Sequence, residues 1–223
     1  MSPVPLVPGG FWFRVAFSCP LHRDIPLSGK KRLLDLPSPY TLPALARLEG
    51  HQAWAEARAA WNPRGLAVSI SVNGRAGRQS VGTRSTVLED RVELGIDTRD
   101  TRDIHRASRF CHWFTCQLNP GREGPVSVAV NQKPIARALA DAPHARRDTI
   151  QTYGERSRTS WLVEVFFSSE ALNGFDPETN RRLGLIVLVS DSERGEQSFG
   201  PGREFPVETD PSLWPVLQLE GAG

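Results

Sequence analysis

The chain has 223 residues, of which 39% are hydrophobic and 23% charged, and its formal net charge is only +2. A chain of this length can bury roughly 70% of its unfolded surface, so it needs neither disulfides nor a structural metal to fold. The near balance of charge excludes the dense basic field typical of nucleic-acid binding, and no run of about 18 apolar residues predicts a membrane span.

The cysteines and the N-terminus both indicate a compartment. Cys19, Cys111 and Cys116 form neither an even disulfide set nor a C-x2-C metal pair. Cys111 and Cys116 would lie on opposite faces of one strand, where they cannot bridge each other. Residues 1–17 lack the basic segment and long apolar stretch of a signal peptide. We therefore expect a soluble, cytoplasmic protein in a reducing environment.

The first 49 residues predict one strand and a long connection. Residues 11–17 are rich in aromatic and β-branched side chains and are followed by Pro20, which suits a first or an edge strand. Residues 18–50 contain five prolines, which predict a connection with little regular structure.

Residues 53–72 predict a β-hairpin. Alanine, glutamate and arginine favour a helix at 53–60 by propensity. Small and large residues alternate there, however, and the Asn-Pro-Arg-Gly sequence at 62–65 predicts a turn. Residues 66–72 alternate large apolar with small side chains, which indicates a strand with one buried face.

Two further segments are the clearest strands, and each has two distinct faces. Residues 91–97 follow a polar loop at 73–89, and residues 110–118 come next. Alternation predicts that one face of each strand enters the core and that the other lies outside it. The core faces carry Val92, Leu94 and Ile96, and Phe114, Cys116 and Leu118. The outer faces carry Arg91, Glu93, Gly95 and Asp97, and Cys111, Trp113, Thr115 and Gln117.

The remaining elements complete an all-β pattern. Strands are predicted at 126–130, 161–167, 183–189 and 216–219, the third covered on both faces. A helical turn at 135–140 and a capped short helix at 168–172 are the helical candidates. Roughly eight to ten strands without β-α alternation predict an antiparallel, jelly-roll-like β-sandwich with one or two short helices. We expect one domain over 1–223, with a core at about 50–220 and an N-terminal strand and proline-rich connection at 1–49.

Several segments, in order, resemble the family 9 carbohydrate-binding modules and related DOMON-like sandwiches. Residues 57–68 are similar to their hairpin, 90–97 to their Asp-x-Val-Glu strand, and 161–172 to their Trp-x-x-Glu strand and short helix. The resemblance implies an antiparallel sandwich that binds glycans without catalysis, usually beside a hydrolase of carbohydrate catabolism. The chain departs from these modules because no tryptophan pair can be matched to their sugar-sandwiching residues and no clear calcium loop is present.

Trp113 is the first candidate for contact with a ligand. A tryptophan ring attracts the C–H face of a sugar, and the neighbouring Glu93 and Gln117 would bind hydroxyl groups. Gly95 would leave room for close approach. The alternative is that Trp113 packs beneath a loop.

The dense alternation of acids and bases at residues 97–109 is the second candidate. Arginine and carboxylate groups there could hold a polyol, an acidic or a phosphorylated ligand. The alternative is a solvated loop of weak ion pairs. The spacing of Asp97, Asp100 and Asp103 does not match that of an EF-hand. We expect no cofactor, with calcium as the one alternative. The predicted ligand-binding residues are Trp113, Glu93, Asp97, His105, Arg106, Arg109, Gln117 and Glu164.

Catalytic and metal sites have weaker support. Cys111 and His112 are adjacent and point to opposite faces, so they do not predict a metal centre, and His112 is predicted to be a core histidine. Glu93 and Glu164 could form a glycosidase pair, but nothing raises the pKa of one above the other, and polar contacts are the preferred interpretation. No nucleophile elbow, phosphate loop or nucleotide fingerprint is present.

The sequence therefore predicts a non-catalytic module that binds an oligosaccharide or polysaccharide, with no nucleic-acid or membrane partner. The alternative is a protein-interaction or scaffold domain with an apolar outer face and a protein partner. A glycoside hydrolase is the third hypothesis. The oligomeric state is left open.

Overall fold

A computed structural model describes residues 15–29, 31–45, 52–76, 89–121 and 123–221. In these residues the chain forms two packed β-sheets, which confirms the β-sandwich prediction. The strands are β1 (Ala16–Pro20), β2 (Ala55–Asn62), β3 (Gly65–Val72), β4 (Arg91–Asp97), β5 (Cys111–Leu118), β6 (Gly124–Val126), β7 (Val128–Gln132), β8 (Ile150–Arg156), β9 (Trp161–Ser168), β10 (Arg182–Asp191), β11 (Gly195–Phe199) and β12 (Val216–Glu220). Short 3₁₀ turns cover Ser38–Tyr40, Arg147–Thr149 and Pro211–Leu213.

Among the described strands, the large sheet has seven and the small sheet five. The large sheet runs β1-β12-β10-β4-β5-β7, with β11 also paired to β10, and the small sheet runs β2-β3-β9-β8-β6. Every pairing is antiparallel except that of β1 with β12. The first strand was predicted at 11–17, and the structure has it at Ala16–Pro20. Residues 11–14 lie outside the described residues. No described helix is long and apolar enough to cross a bilayer.

The core between the sheets follows the predicted alternation. Leu94 of β4 pairs with Phe114 of β5, and the Phe114 ring lies 4.6 Å from that of Phe167 in the small sheet, measured between centroids. Strand β10 is buried from Leu183 to Asp191, which confirms the prediction of a strand covered on both faces. The side chains of the two sheets thus form one continuous apolar layer.

The two predicted helical segments are turns. At residues 168–172, Ser168 still belongs to β9, so it cannot cap a helix. The turn there is closed by a hydrogen bond from Ala171 N to Ser168 O at 2.9 Å. At residues 135–140, the turn is closed by a hydrogen bond from Ala138 N to Ile135 O at 3.2 Å. Residues 53–60, where helix and strand competed, lie largely in β2, because β2 pairs with β3 along its whole length.

Both sheets also bury apolar residues on their outer faces. The connection at 21–45 covers the small sheet with Ile25, Leu34 and Leu36. Three connections cover the large sheet, at 98–110, 133–149 and 200–215. In the described part of the chain, these three connections, rather than the strands, form the outer surface over the large sheet.

Glu164 fastens the covering connection to the small sheet. Its carboxylate is buried and accepts hydrogen bonds from the backbone N–H groups of Leu33, Leu34 and Asp35 at 2.9, 3.0 and 3.1 Å. The Arg32 guanidinium also donates to it, at 3.1 Å from Nε. All these bonds are internal, so the predicted ligand contact at Glu164 is wrong.

Replacing Glu164 tests this anchor. Glu164→Gln removes the buried charge beside Arg32 and places an amide donor against backbone donors, so we expect the free energy of unfolding to fall by about 3 kcal/mol. Urea denaturation measures this change. The matched control, Glu170→Gln, alters an exposed carboxylate that pairs with Arg146, and it should change stability by less than about 1 kcal/mol. Equal urea midpoints for the two variants would contradict the role of Glu164 as an anchor.

His112 lies in the core, as predicted. Its ring stacks on Phe114 with centroids 5.8 Å apart, and its Nδ1 lies 3.5 Å from the Gln132 amide nitrogen. Burial lowers the pKa of His112 to about 4, and the backbone carbonyl of Asn173, as an acceptor for the imidazole N–H, partly opposes this shift. The imidazole is therefore neutral at pH 7.

This burial predicts a pH dependence of stability. Because the folded-state pKa lies below the unfolded value of about 6.5, the unfolded chain binds the proton more tightly. The contribution of His112 to the free energy of unfolding should be complete above pH 6.5. It should fall by about 3 kcal/mol as the pH is lowered towards 4, because the histidine takes up a proton on unfolding. Urea denaturation at pH 7 and pH 4 should show a smaller decline for His112→Gln than for the wild type. The exposed-histidine variant His144→Gln should keep the wild-type decline, and a decline unchanged in His112→Gln would refute the assignment.

Candidate functional site

The outer face of β4 and β5 has the composition that alternation predicts. Glu93 pairs with Thr115, Gly95 with Trp113, and Arg91 with Gln117. Trp113 therefore points away from the core between the sheets, on the same side as Glu93. The alternation does not decide whether that side meets solvent.

Trp113 is buried beneath the connection at 200–215. The Trp214 ring lies 6.0 Å from the Trp113 ring, and the Lys133 ammonium lies 5.2 Å from the same ring centroid. Ile186 and Val207 belong to the same buried apolar cluster. An exposed tryptophan platform is thus the wrong interpretation, because covering so large an apolar ring with Trp214 removes both from water. The alternative, a tryptophan packed under a loop, is correct.

Gly95 provides space for Trp214 rather than for a ligand. A Cβ at Gly95 would lie 2.7 Å from Cζ2 of Trp214 and 2.6 Å from Cγ2 of Ile186. Both distances are too short for non-bonded carbon atoms. The glycine therefore permits the covering connection to approach β4 closely.

Glu93 belongs to an ion-pair network that holds the same connection. Its carboxylate lies 3.5 Å from Arg91 Nε and 3.8 Å from Lys133 Nζ, and it pairs with Arg203. Arg203 pairs in turn with Glu208, which also lies 3.1 Å from Lys133 Nζ. The network ties the connection at 200–215 to the large sheet, and Glu93 itself is buried. Glu93 is therefore unavailable to a ligand, contrary to the prediction.

The predicted site residues at 97–109 divide into buried and exposed groups. Asp97 is buried and accepts from the backbone N–H groups of Arg99 and Thr101 at 2.9 and 2.8 Å. Burial raises the pKa of Asp97, and these two bonds oppose the rise. The carboxylate thus forms a turn and, contrary to prediction, does not face a ligand.

The exposed group joins neighbouring connections. His105 Nδ1 lies 3.1 Å from a carboxylate oxygen of Asp210, and Arg106 Nε donates to the carbonyl of Arg137 at 2.8 Å. The Arg109 guanidinium lies 5.0 Å from the centroid of the Phe110 ring. Gln117, half-buried, donates to Glu89 at 2.7 Å. His105, Arg106 and Arg109 are therefore the predicted ligand residues that remain accessible, with Gln117 partly so.

Calcium binding stays a prediction, and the described residues offer no cluster of carboxylates for it. There, no group of three or more histidine, cysteine, aspartate or glutamate side chains could hold a metal ion. Asp100 lies 2.8 Å from Arg102 and 3.0 Å from Arg182.

A pocket of about 90 Å³ lies between the connections at 98–110 and 133–149. Its polar lining comprises Cys111, Gln132, Lys133, Asp141 and His144, and its apolar lining includes Ala107, Ile135 and Ala138. The Gln132 amide is used internally, since it donates to Pro143 O at 3.0 Å and accepts from Ala145 N at 2.7 Å. Asp141, Lys133 and His144 are exposed and can contact a ligand.

The Cys111 thiol in this pocket is not a nucleophile. Burial, together with the nearby negative charge of Asp97, raises the pKa of Cys111 to about 12. The thiol is therefore protonated at neutral pH, and the reactive species of a cysteine nucleophile is the thiolate. The pocket offers hydrogen bonding and charge rather than covalent chemistry.

Sequence reasoning missed this pocket. Residues 131–150 showed no strand or helix period, and the two prolines that bracket 135–140 indicated only a turn. The two connections that line the pocket are joined by a hydrogen bond from Leu139 N to Ala107 O at 2.7 Å, between residues 32 positions apart. No local pattern predicts such a bond.

The two glutamates proposed as a glycosidase pair lie on opposite sides of the sandwich. Glu93 points outward from the large sheet, and Glu164 points outward from the small sheet. Packed sheets lie about 10 Å apart, and the two carboxylates project away from that gap. Glycosidase carboxylates lie about 5 to 9.5 Å apart, so Glu93 and Glu164 cannot flank one glycosidic bond.

The packing over Gly95 predicts a steric effect. Gly95→Ala should lower the free energy of unfolding by about 1–3 kcal/mol, because Ile186 and Trp214 must shift. Urea denaturation followed by tryptophan fluorescence measures this. Gly184→Ala is the control on β10, where the new Cβ would lie 3.2 Å from its nearest neighbour, Asp97 Cβ. If Gly95→Ala were no more destabilising than Gly184→Ala, Trp214 would not pack over Gly95.

Comparison with known proteins identifies the fold. No protein-family model matches the chain, and no curated protein matches its sequence. A family 9 carbohydrate-binding module from Caldicellulosiruptor kristjanssonii, solved with cellotriose, matches with a TM-score of 0.63 and 11% identity over 93% of this chain and 95% of that one. The module solved with glucose gives the same TM-score and identity over 93% and 97%. A protein from Bacteroides uniformis matches with a TM-score of 0.51 and 12% identity over 92% and 99%. The chain therefore has a fold similar to that of the family 9 carbohydrate-binding modules, as the sequence resemblance implied.

Proposed function

We propose that this protein is a non-catalytic carbohydrate-binding module and that its sugar contacts the pocket between the connections at 98–110 and 133–149. The observation that carries the proposal is the similarity, over 93% of the chain, to a module solved with cellotriose and with glucose. Fold alone does not determine a ligand, so the pocket chemistry must supply the second support.

The pocket presents groups that suit a sugar. Asp141 accepts hydrogen bonds from hydroxyl groups, Lys133 donates to them, and His144 can do either. Ala107 and Ile135 provide apolar contact for C–H groups. At about 90 Å³ the pocket is smaller than the roughly 300–1,000 Å³ of sites that enclose small molecules. It would therefore hold one edge of a sugar, and the rest of the ligand would lie on the exposed connections.

Calorimetric titration with glucose and cellotriose tests this function. We expect saturable binding by the wild type, and Asp141→Ala should weaken it by about tenfold, because a charge-assisted hydrogen bond is lost. Asp24→Ala is the control, since it removes an exposed aspartate from the connection over the other sheet. It should bind as the wild type does.

Two results would contradict the proposal. One is the absence of binding to any sugar on a broad glycan array. The other is equal affinity of Asp141→Ala and Asp24→Ala, which would remove the pocket as the binding site.

A protein-interaction role is the second candidate, and one observation favours it. Among the described residues, the exposed large hydrophobic side chains are Ile104, Leu139 and Phe205, with 43%, 55% and 36% of their surface accessible. All three lie on the connections over the large sheet. Large exposed apolar patches are typical of docking surfaces, and these three side chains would be the apolar part of such a patch. Glycan-array binding would favour the first function, and its absence the second.

A further inference from the structure

Strand β7 is an edge of the large sheet, and the pattern of its hydrogen bonds with β5 is known at both ends. Lys133 N donates to Trp113 O, and Asn119 N donates to Ser127 O, each at 3.0 Å. In an antiparallel pair, residues that exchange backbone bonds alternate with residues whose N–H and C=O groups point the other way. The odd-numbered residues of β7 therefore bond β5, and the even-numbered residues do not.

The even-numbered residues of β7 turn their backbone groups towards the free edge. These residues are Val128, Val130 and Gln132. Within the described part of the chain, no backbone hydrogen bond reaches these groups from the side away from β5. The edge therefore presents three N–H donors and three C=O acceptors in one row, which is the pattern that a further strand pairs with.

The other described edges of the two sheets are protected against such pairing. Pro125 lies at the centre of β6, Glu196 lies in β11, and β1 ends at Pro20. The edge of β2 is bonded by the connection over the small sheet, where Leu42 N donates to Ala57 O at 2.8 Å. Proline and charged residues are the means by which edge strands avoid pairing with other chains. Strand β7, with the sequence Val-Ala-Val-Asn-Gln, contains neither.

The side chains of β7 also leave room for a further strand. Val128 and Val130 pack against the core between the sheets but are only partly buried, so an added strand would remove more of their apolar surface from water. Asn131 is exposed and uncharged on the opposite face. The ammonium of Lys133, which follows the strand, lies 5.2 Å from the centroid of the Trp113 ring, over the outer face of the sheet.

We propose that β7 pairs with β7 of a second copy of this chain, antiparallel and centred on Val130. In this register Val130 faces the partner's Val130, and Val128 faces the partner's Gln132. Three outward donors from each copy then make six hydrogen bonds between the copies, and every outward group is paired. A two-fold axis relates the copies, as in most homodimers.

The choice of a second copy rests on this self-complementarity. Moving the centre of pairing to residue 131 would place Val128 opposite the partner's Pro134, which has no N–H to donate. Moving it to residue 129 would place Gln132 opposite the partner's Val126, which belongs to β6 of the small sheet. The register centred on Val130 therefore pairs the strand with itself completely.

The pairing has a consequence for the pocket. Because the two-fold axis is perpendicular to the sheet, the outer faces of the two large sheets point in the same direction. Gln132 and Lys133, at the end of β7, line the pocket, so the two pockets would open on one side of the dimer. Two sites on one side can engage one long polysaccharide together, which raises its apparent affinity. This consequence rests on the proposed function, whereas the pairing itself does not.

Sedimentation velocity of the full chain tests the pairing. We expect the mass to rise from 24.7 kDa towards twice that value as the protein concentration is raised. A range from about 1 to about 500 μM suits the weak to moderate affinity of a small interface. Amide hydrogen exchange measured by NMR at both ends of this range locates the contact. Exchange should slow several-fold at Val128, Val130 and Gln132 and change little at Ala129 and Asn131, which already bond β5.

Three single variants complete the test. Val130→Pro removes the outward N–H at the centre of the pairing and keeps the bonds to β5, so the dimer should be lost. Asn131→Lys places like charges near each other across the axis and should weaken the dimer about tenfold. Thr159→Lys adds the same charge at an exposed position in the turn between β8 and β9 and should dimerise as the wild type does. Thermal melting of each variant checks that the fold is retained.

Two results would overturn the proposal. One is a mass near 24.7 kDa at every concentration, which would leave the edge to a strand of another protein. The other is a dimer whose affinity Asn131→Lys leaves unchanged and in which the amides of Val128 and Val130 exchange as fast as in the monomer. Neither result bears on sugar binding, which the titration of Asp141→Ala tests separately.

Discussion

The packing of Trp214 on Trp113 above Gly95 determines the outer surface of the large sheet. The two indole rings lie 6.0 Å apart, and the glycine gives Trp214 the space to reach the sheet. With this contact in place, β4 and β5 are covered at their centre, and the ion pairs of Glu93 hold the covering connection at its edge. The sheet face that would serve as a flat binding platform is therefore a second, smaller core.

This arrangement moves the candidate site from strands to connections. A face covered by its own chain can bind a ligand only where two connections leave a gap, and the pocket beside Ala107 is such a gap. The residues around it are held by backbone hydrogen bonds between connections, such as Leu139 N to Ala107 O at 2.7 Å. The strands thus position the site indirectly, by fixing where each connection starts and ends.

The sequence was most informative where its pattern was local. Alternation placed Val92, Leu94 and Ile96 in the core and Glu93 and Trp113 on the outer face, and the apolar run at 183–189 indicated a strand covered on both sides. Alternation cannot distinguish an outer face that meets water from one that a distant segment covers. Trp214 lies about a hundred positions from Trp113, and the partners of Glu164 lie about 130 positions away. Long-range contacts of this kind made the predicted ligand roles of Trp113, Glu93 and Glu164 wrong.

The bonds of Glu164 also determine which substitutions the covering connection tolerates. The carboxylate binds the amide hydrogens of Leu33, Leu34 and Asp35, and every amino acid except proline supplies such a hydrogen. The anchor therefore constrains the course of the main chain rather than the side chains of the residues that supply the amides, although the left-handed φ of 46° at Asp35 favours aspartate, asparagine or glycine there. A fold held in this way can be retained while its sequence diverges, since one glutamate preserves a contact that three positions need not encode.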